Sequence, residues 1–131
     1  MQTMDGSYKD LIVWQKSISL VKLVYGLSAA FPSDEKFGII SQMRRCAVSI
    51  PSNIAEGQAR RTTPDYVRFV SIAQGSLAEL ETQLIISVEL GFCDLETTNG
   101  IFALATEVRK MLNALRRSLM EKIDREKGKA S

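Results

Sequence analysis

A chain of 131 residues with 45 % hydrophobic content fits one domain with a real core and leaves no room for several. Its 17 basic and 15 acidic residues give a net charge of only +2, so the chain as a whole does not announce a polyanion partner. It contains no histidine, which removes the commonest general base and the commonest metal ligand.

Residues 1–9 are polar and are expected to be frayed or disordered. The next stretch, DLIVWQKSISLVKLVYGLSAAFP, runs from a candidate N-cap at Asp10 to a stop at Pro32 and predicts a helix over 10–31. Gln15, Ser19, Lys22 and Gly26 form one narrow polar stripe on it, and nearly everything else is apolar. A helix apolar over most of its circumference is buried on more than one side. A small domain cannot easily bury that much of one helix, so Trp14, Ile18, Val21 and Tyr25 become candidates for a subunit interface.

Ser33 or Asp34 can cap a second helix over 34–60, on which Ile39, Met43, Cys46, Ala47, Ile50 and Ile54 share one face. That face stays in phase on both sides of Pro51, as it does when a helix continues through its proline. A mid-helix proline costs about 3 kcal/mol, because it removes a hydrogen bond and crowds the carbonyl four residues back. A helix kinked at Pro51 is the reading adopted, with Ser49, Ser52 and Asn53 able to bond freed backbone groups. Gly57 then allows a close backbone approach or a distorted final turn. The rival reading makes Ser49 the N-cap of a fresh helix. On the opposite side Gln42, Arg45, Ser49, Ser52, Asn53, Glu56 and Arg60 form a polar stripe. It is either a solvated face or the hydrogen-bonded lining of a groove or central opening.

The third helix, 64–90, starts clearly in TTPDY, with Thr63 as N-cap, Pro64 in the first turn and Asp65 beside it. Its apolar line is Tyr66, Val70, Ala73, Leu77, Leu80, Leu84 and Val88, and Gly91 ends it. The fourth, 95–126, carries Ile101, Leu104, Val108, Met111, Leu115 and Leu119, leaving 128–131 as a tail. With no strand signal and short connections, residues 10–127 are expected to pack as an all-α, antiparallel up-down four-helix bundle.

Cys46 and Cys93 lie in apolar surroundings with no CxxC or Cys/His pattern, as free thiols in a reducing compartment do. No secretory signal pattern opens the chain and no apolar run reaches membrane-spanning length. A cytoplasmic protein without a membrane partner is expected.

The segment from Leu11 to Leu84 closely resembles the four-helix-bundle family of 23S rRNA-intervening-sequence proteins. The resemblance rests on VWQ (Val13 to Gln15), FP (Phe31 and Pro32), E-x-FG (Glu35 to Gly38) and Q-x-RR (Gln42 to Arg45). VSIPSNIAEG (Val48 to Gly57) and GSLAELE (Gly75 to Glu81) complete it. Cys46 departs from the alanine common in the family and preserves size. The resemblance implies a bundle that assembles as a ring-shaped homo-oligomer, a pentamer. It also implies a loose kinship with the basic accessory bundles of diversity-generating retroelements, and it supplies no biochemical activity.

Read for catalysis, the chain offers little. Neither cysteine has a histidine to activate it, and GxxxxGK and GxGxxG loops are absent. Glu79 and Glu81 follow too closely to face one way, and the ExxH motifs of metal bundles are missing. The expectation is a non-enzymatic protein without cofactor or metal. Read for nucleic acid, the chain is asymmetric. From Arg109 onward eight basic residues face three acidic ones, a net of +5 that leaves −3 on residues 1–108. Arg109 with Arg116, and Lys110 with Arg117, form two rows a heptad apart; Arg44, Arg45, Arg60 and Arg61 add to them from helix two, with Arg68 on helix three. Such rows suit phosphate by bidentate contact. Alternatively, the helix-two arginines pair with Glu56, Glu79 or Glu81, and the C-terminal charges are merely solvated. Two partners therefore stay open: RNA or an RNA–protein complex, bound through the backbone, and a protein bound by an adaptor ring. A chain that merely travels with a mobile insertion stands as a third reading.

Overall fold

The computed structural model describes residues 7–130. Four helices, α1 (Ile12–Ser28), α2 (Ile39–Gln58), α3 (Thr63–Glu89) and α4 (Leu95–Ala130), are joined by short connections. Contacts between them form a closed cycle, α1 to α2 to α3 to α4 and back to α1. Neighbours run in opposite directions. Gln42 meets Gln83, Ser49 meets Ser76, and an added Cβ on Gly57 would meet Tyr66 and Phe69, so α2 numbers rise as α3 numbers fall. The same reversal links Arg109 to Glu81 and Thr63 to Glu126 across α3 and α4. Arg44 meets Ser28 across α1 and α2, and Lys16 meets Glu107 across α1 and α4.

The core is one cluster drawn from all four helices, with Leu20, Met43, Ile50, Ile54, Leu77, Leu80, Leu84 and Leu112 almost wholly buried. On α4 the fully buried line is Ala105, Val108 and Leu112, while Leu104, Met111 and Leu115 pack at its edge. The buried face of α1 includes Ser17 and Ser28, whose hydroxyls bond back to the carbonyls of Trp14 (2.7 Å) and Val24 (2.8 Å). That placement leaves apolar α1 residues outside, with Ile12 59 % and Leu23 44 % exposed.

α2 is continuous through Pro51, so a fresh helix capped by Ser49 does not occur. The Asn53 amide donates to the Ser49 carbonyl (2.8 Å) and to Ser49 Oγ (2.9 Å), not to the Ala47 carbonyl whose partner the proline removes. At Gly57 an added Cβ would lie 2.8 Å from Phe69 Cβ and 3.3 Å from the Tyr66 carbonyl oxygen. Glycine here brings α2 and α3 close together.

Several boundaries differ from the sequence expectation. Ser7, Tyr8 and Lys9 are not frayed. Tyr8–Asp10 form a 3-10 turn in which Ser7 Oγ accepts from the Lys9 backbone, and Tyr8 packs edge-on against Trp14 at 5.2 Å. Residues 1–6 of the expected frayed segment lie outside the described residues. Leu11, not Asp10, occupies the cap position of α1. Ser33–Glu35 form a second 3-10 turn, and α2 starts only at Ile39, after Gly38. The cap of α3 is Thr62, one residue early, with its hydroxyl accepting from the Asp65 backbone at 3.3 Å. Gly91 takes φ 79°, a left-handed conformation that ends α3. Asp94 starts α4 by accepting from Thr97 N (2.7 Å) and Thr97 Oγ1 (2.6 Å), which holds its carboxyl below the usual range. α4 continues past 126 through most of the expected tail.

Candidate nucleic-acid interface

The antiparallel order decides which charges meet. The start of α1, the end of α2, the start of α3 and the end of α4 share one end of the bundle, tied together by the bond from Thr63 Oγ1 to Glu126. Arg60, Arg61 and Arg68 thereby join Lys122, Arg125, Lys127 and Lys129, interleaved with Glu121, Asp124 and Glu126. Arg116 and Arg117 lie further in, beside Gln74 in the same half of the bundle; all of these are exposed except Gln74, which is half-buried. The other end carries the α1–α2 and α3–α4 connections, linked by a Phe31–Phe92 ring contact at 5.6 Å. It is acidic, with Asp34, Glu35, Glu89, Asp94 and Glu96 exposed or half-buried around Lys36. The bundle is therefore charged oppositely at its two ends. The net +5 of the C-terminal stretch revealed only half of this.

At the basic end, two guanidinium groups bracket one buried ring. Arg60 Cζ and Arg68 Cζ each lie 4.5 Å from the Phe69 centroid, and Phe69 is only 6 % exposed. Each arginine also has an acid beside it, Glu56 at 3.3 Å for Arg60 and Asp65 at 3.8 Å for Arg68. All four side chains are widely solvated, so these pairs contribute little to stability. Each guanidinium lies over the Phe69 ring and beside its acid, with Arg60 Nη2 donating to Glu56 Oε2. Arg61 sits beside them with no ion pair among the described residues.

The expected C-terminal rows divide. Arg109 is committed inside the subunit, donating to Glu81 on α3 and to Thr106 (3.2 Å) on its own helix. Lys110, Arg116 and Arg117 make no ion pair among the described residues. Arg116 and Arg117 flank an open depression with Gln74, Asn113 and Met120, where Gln74 Nε2 donates to Asn113 Oδ1 at 2.8 Å. The spacing of sequence alone made Arg109 and Arg116 equivalent. Their neighbours on α3 make them different.

The helix-two arginines separate as well. Arg44 faces α1, donating to Ser28 Oγ (2.9 Å) and the Tyr25 carbonyl (3.3 Å) with its guanidinium 4.5 Å from the Tyr25 ring centroid. It ties down the end of α1 and is not placed with the basic end. Arg45 lies exposed on the far half of α2.

The polar stripe is mostly an exposed face, with Gln42, Arg45, Ser52, Glu56 and Arg60 open to solvent and only Ser49 and Asn53 half-buried; polar contacts from it to α3 are few. Ser49 Oγ and Ser76 Oγ are 2.8 Å apart, and Gln83 Nε2 reaches Gln42 Oε1 at 3.5 Å. Gln83 Oε1 is buried without a partner among the described residues. Cys46 adjoins these contacts. Burial, and next the Glu79 carboxylate, push its thiol up to about 11, so it is a poor nucleophile at neutral pH. Ser52 departs from the stripe and lines an apolar groove between α1 and α2 with Trp14, Ile18, Val21, Pro51 and Ala55. That groove holds three of the four candidate interface residues. The fourth, Tyr25, lines its continuation with Phe37 and Val48.

Among the described residues no three metal-ligating side chains gather, and no helix is long and apolar enough to cross a membrane. The fold and these surfaces define an all-α four-helix bundle with one basic end and an open apolar groove. A family model for 23S rRNA-intervening sequence proteins matches residues 9–114, and the chain belongs to that family. A solved structure from Bacteroides thetaiotaomicron VPI-5482, a protein of unknown function from the S23 ribosomal protein family, has the same fold. It superposes with a TM-score of 0.75 at 24 % identity, over 80 % of this chain and 98 % of that one. No curated protein matches.

Proposed function

We propose that this chain is a non-enzymatic, cytoplasmic, oligomeric bundle that binds RNA, alone or within a ribonucleoprotein, through the phosphate backbone at its basic end. What supports this is the set of exposed basic side chains in one half of the bundle that make no ion pair among the described residues: Arg61, Arg116, Arg117, Lys122, Arg125, Lys127 and Lys129. No aromatic ring is interleaved for base stacking, so binding is directed to phosphate and carries little sequence information. In a cyclic oligomer, the pentamer that the family resemblance implies, every basic end falls on one face and the field adds.

A protein partner is the second reading, and the apolar groove between α1 and α2 favours it. Charge reversal at each end separates the two. With a labelled structured RNA at low ionic strength, Arg116→Glu/Arg117→Glu is expected to weaken binding by about tenfold or more, at roughly 1 kcal/mol for each phosphate left without its arginine. Lys36→Glu, at the acidic end, is expected to leave affinity unchanged. Equal effects at the two ends, or no binding by the unaltered chain, would leave the adaptor reading ahead.

A further inference from the structure

We infer that the Phe37 ring of one copy seats in the slot between α1 and α4 of a second copy. Phe37 is 90 % exposed, more than any other large apolar residue described. It is not on a loose loop. Successive backbone bonds, Glu35 N to Pro32 O, Lys36 N to Ser33 O and Gly38 N to Glu35 O, hold the turn that presents it. Within its own subunit the ring meets the Lys36 ammonium, 5.7 Å from its centroid, and burying a ring this exposed is favourable.

The slot is an open depression of about 340 Å³ formed by Lys22, Leu23, Gly26 and Leu27 of α1 with Thr97, Gly100 and Ile101 of α4. An added Cβ at Gly26 or Gly100 would meet nothing within 4 Å in the subunit. Both glycines stand inside helices, where alanine is favoured. Neither is required by packing within the chain. Together they leave an opening on an apolar floor into which a flat ring can enter.

Phe37 is preceded by Asp34 and Glu35. One opposite charge, Lys22, lines the slot, with Asp94 and Glu96 nearby at the start of α4. Asp34 and Lys22 are both exposed and form no ion pair among the described residues. Docking the ring brings the acidic turn toward that lysine.

Phe37 belongs to the α1–α2 side, where it lines the groove with Tyr25 and Val48, whereas the slot belongs to the α1–α4 side. The contact is therefore heterologous: knob of one copy, slot of the next. Repeated, it generates a ring when the rotation closes. The groove behind the knob continues through Val48 to Trp14, so the interface runs along α1, roughly 25 Å at 1.5 Å per residue. Both apolar sides of α1 are then covered.

This contact rests on the oligomeric part of the proposed function and is independent of RNA. The test is the mass of the full chain in solution, by light scattering after size exclusion. It is measured for the unaltered protein, for Phe37→Ala and for Gly100→Leu, which fills the slot with a better helix former. A mixture of Phe37→Cys and Gly100→Cys chains is oxidised in parallel, and disulfides are mapped by peptide mass spectrometry. The expected result is an oligomer whose association weakens by about tenfold or more in both variants, as when a buried ring is removed or shut out. A 37–100 disulfide forms between chains in the mixture. An oligomer of unchanged mass in both variants, without that disulfide, overturns the Phe37 contact and leaves oligomerisation standing. A monomer at micromolar concentration overturns both, while RNA binding is judged separately.

Discussion

Gly57 offers the sharpest test of how α2 packs on α3. In Gly57→Ala the new methyl would sit 2.8 Å from Phe69 Cβ, 3.0 Å from Tyr66 Cδ1 and 3.3 Å from the Tyr66 carbonyl oxygen. Carbon atoms pack at roughly 3.5–4.0 Å, so the overlap with Phe69 approaches an ångström. Phe69 Cβ and the carbonyl both move only with the α3 backbone, so the two helices must separate. Overpacking of this kind costs about 2–3 kcal/mol when the neighbour is rigid, while alanine returns about 1 kcal/mol in helix propensity. The net expectation is a loss of about 1–2 kcal/mol. Gly75→Ala is the control, because its Cβ would meet nothing within 4 Å and it should gain about 1 kcal/mol. Urea and thermal unfolding followed by far-ultraviolet circular dichroism should then separate the two variants by about 2–3 kcal/mol, or roughly 5–12 °C in Tm. If Gly57→Ala proved as stable as Gly75→Ala, the close approach of α2 and α3 would be wrong.

Three further outcomes are expected. Glu81→Gln releases Arg109 from its partner on α3, so RNA affinity at low salt should rise and its salt dependence should steepen by about one ion; anisotropy titrations measure both. Cys46 should resist alkylation in the native state. Because its folded pKa is raised, its stabilising contribution is complete below the unfolded thiol pKa and is lost as pH rises toward about 11. Cys46→Ala should therefore lose less stability than the unaltered chain between neutral and strongly alkaline pH in urea melts. Asp94→Ala removes the acceptor that starts α4 and should lower Tm. The Asp94 carboxyl has a depressed pKa, so its contribution is present above the ordinary carboxylate pKa and fades as the folded group protonates. The difference between the two proteins should accordingly shrink on acidification.

Much of the bundle was legible because helix periodicity is a property of the chain alone. The shared phase of Ile39, Met43, Ile50 and Ile54 across Pro51 predicted a helix running through its proline, and α2 does so. Cap positions were less legible. Thr62 and Thr63 are chemically equivalent neighbours, and only the fold decides which hydroxyl meets the Asp65 amide. The buried serines of α1 were missed because a hydroxyl that bonds to its own helix passes for an apolar group. For the surface, spacing grouped Arg109 with Arg116 but could not see Glu81 across the groove. The acidic end escaped notice because its members come from two connections far apart in sequence. Once the helices are taken as antiparallel, Asp34, Glu35, Glu89, Asp94 and Glu96 fall together. Phe37 and the two glycines of the slot carry no periodic signal; exposure and empty space reveal them.

The most direct test of the RNA-binding proposal is the salt dependence of RNA affinity for the unaltered chain beside Arg116→Glu/Arg117→Glu. The proposal predicts a log-linear fall in affinity with salt, and a slope about 1.5 shallower in the variant, because two phosphates are no longer neutralised. A slope that is near zero, or the same in both proteins, would contradict binding through the basic end.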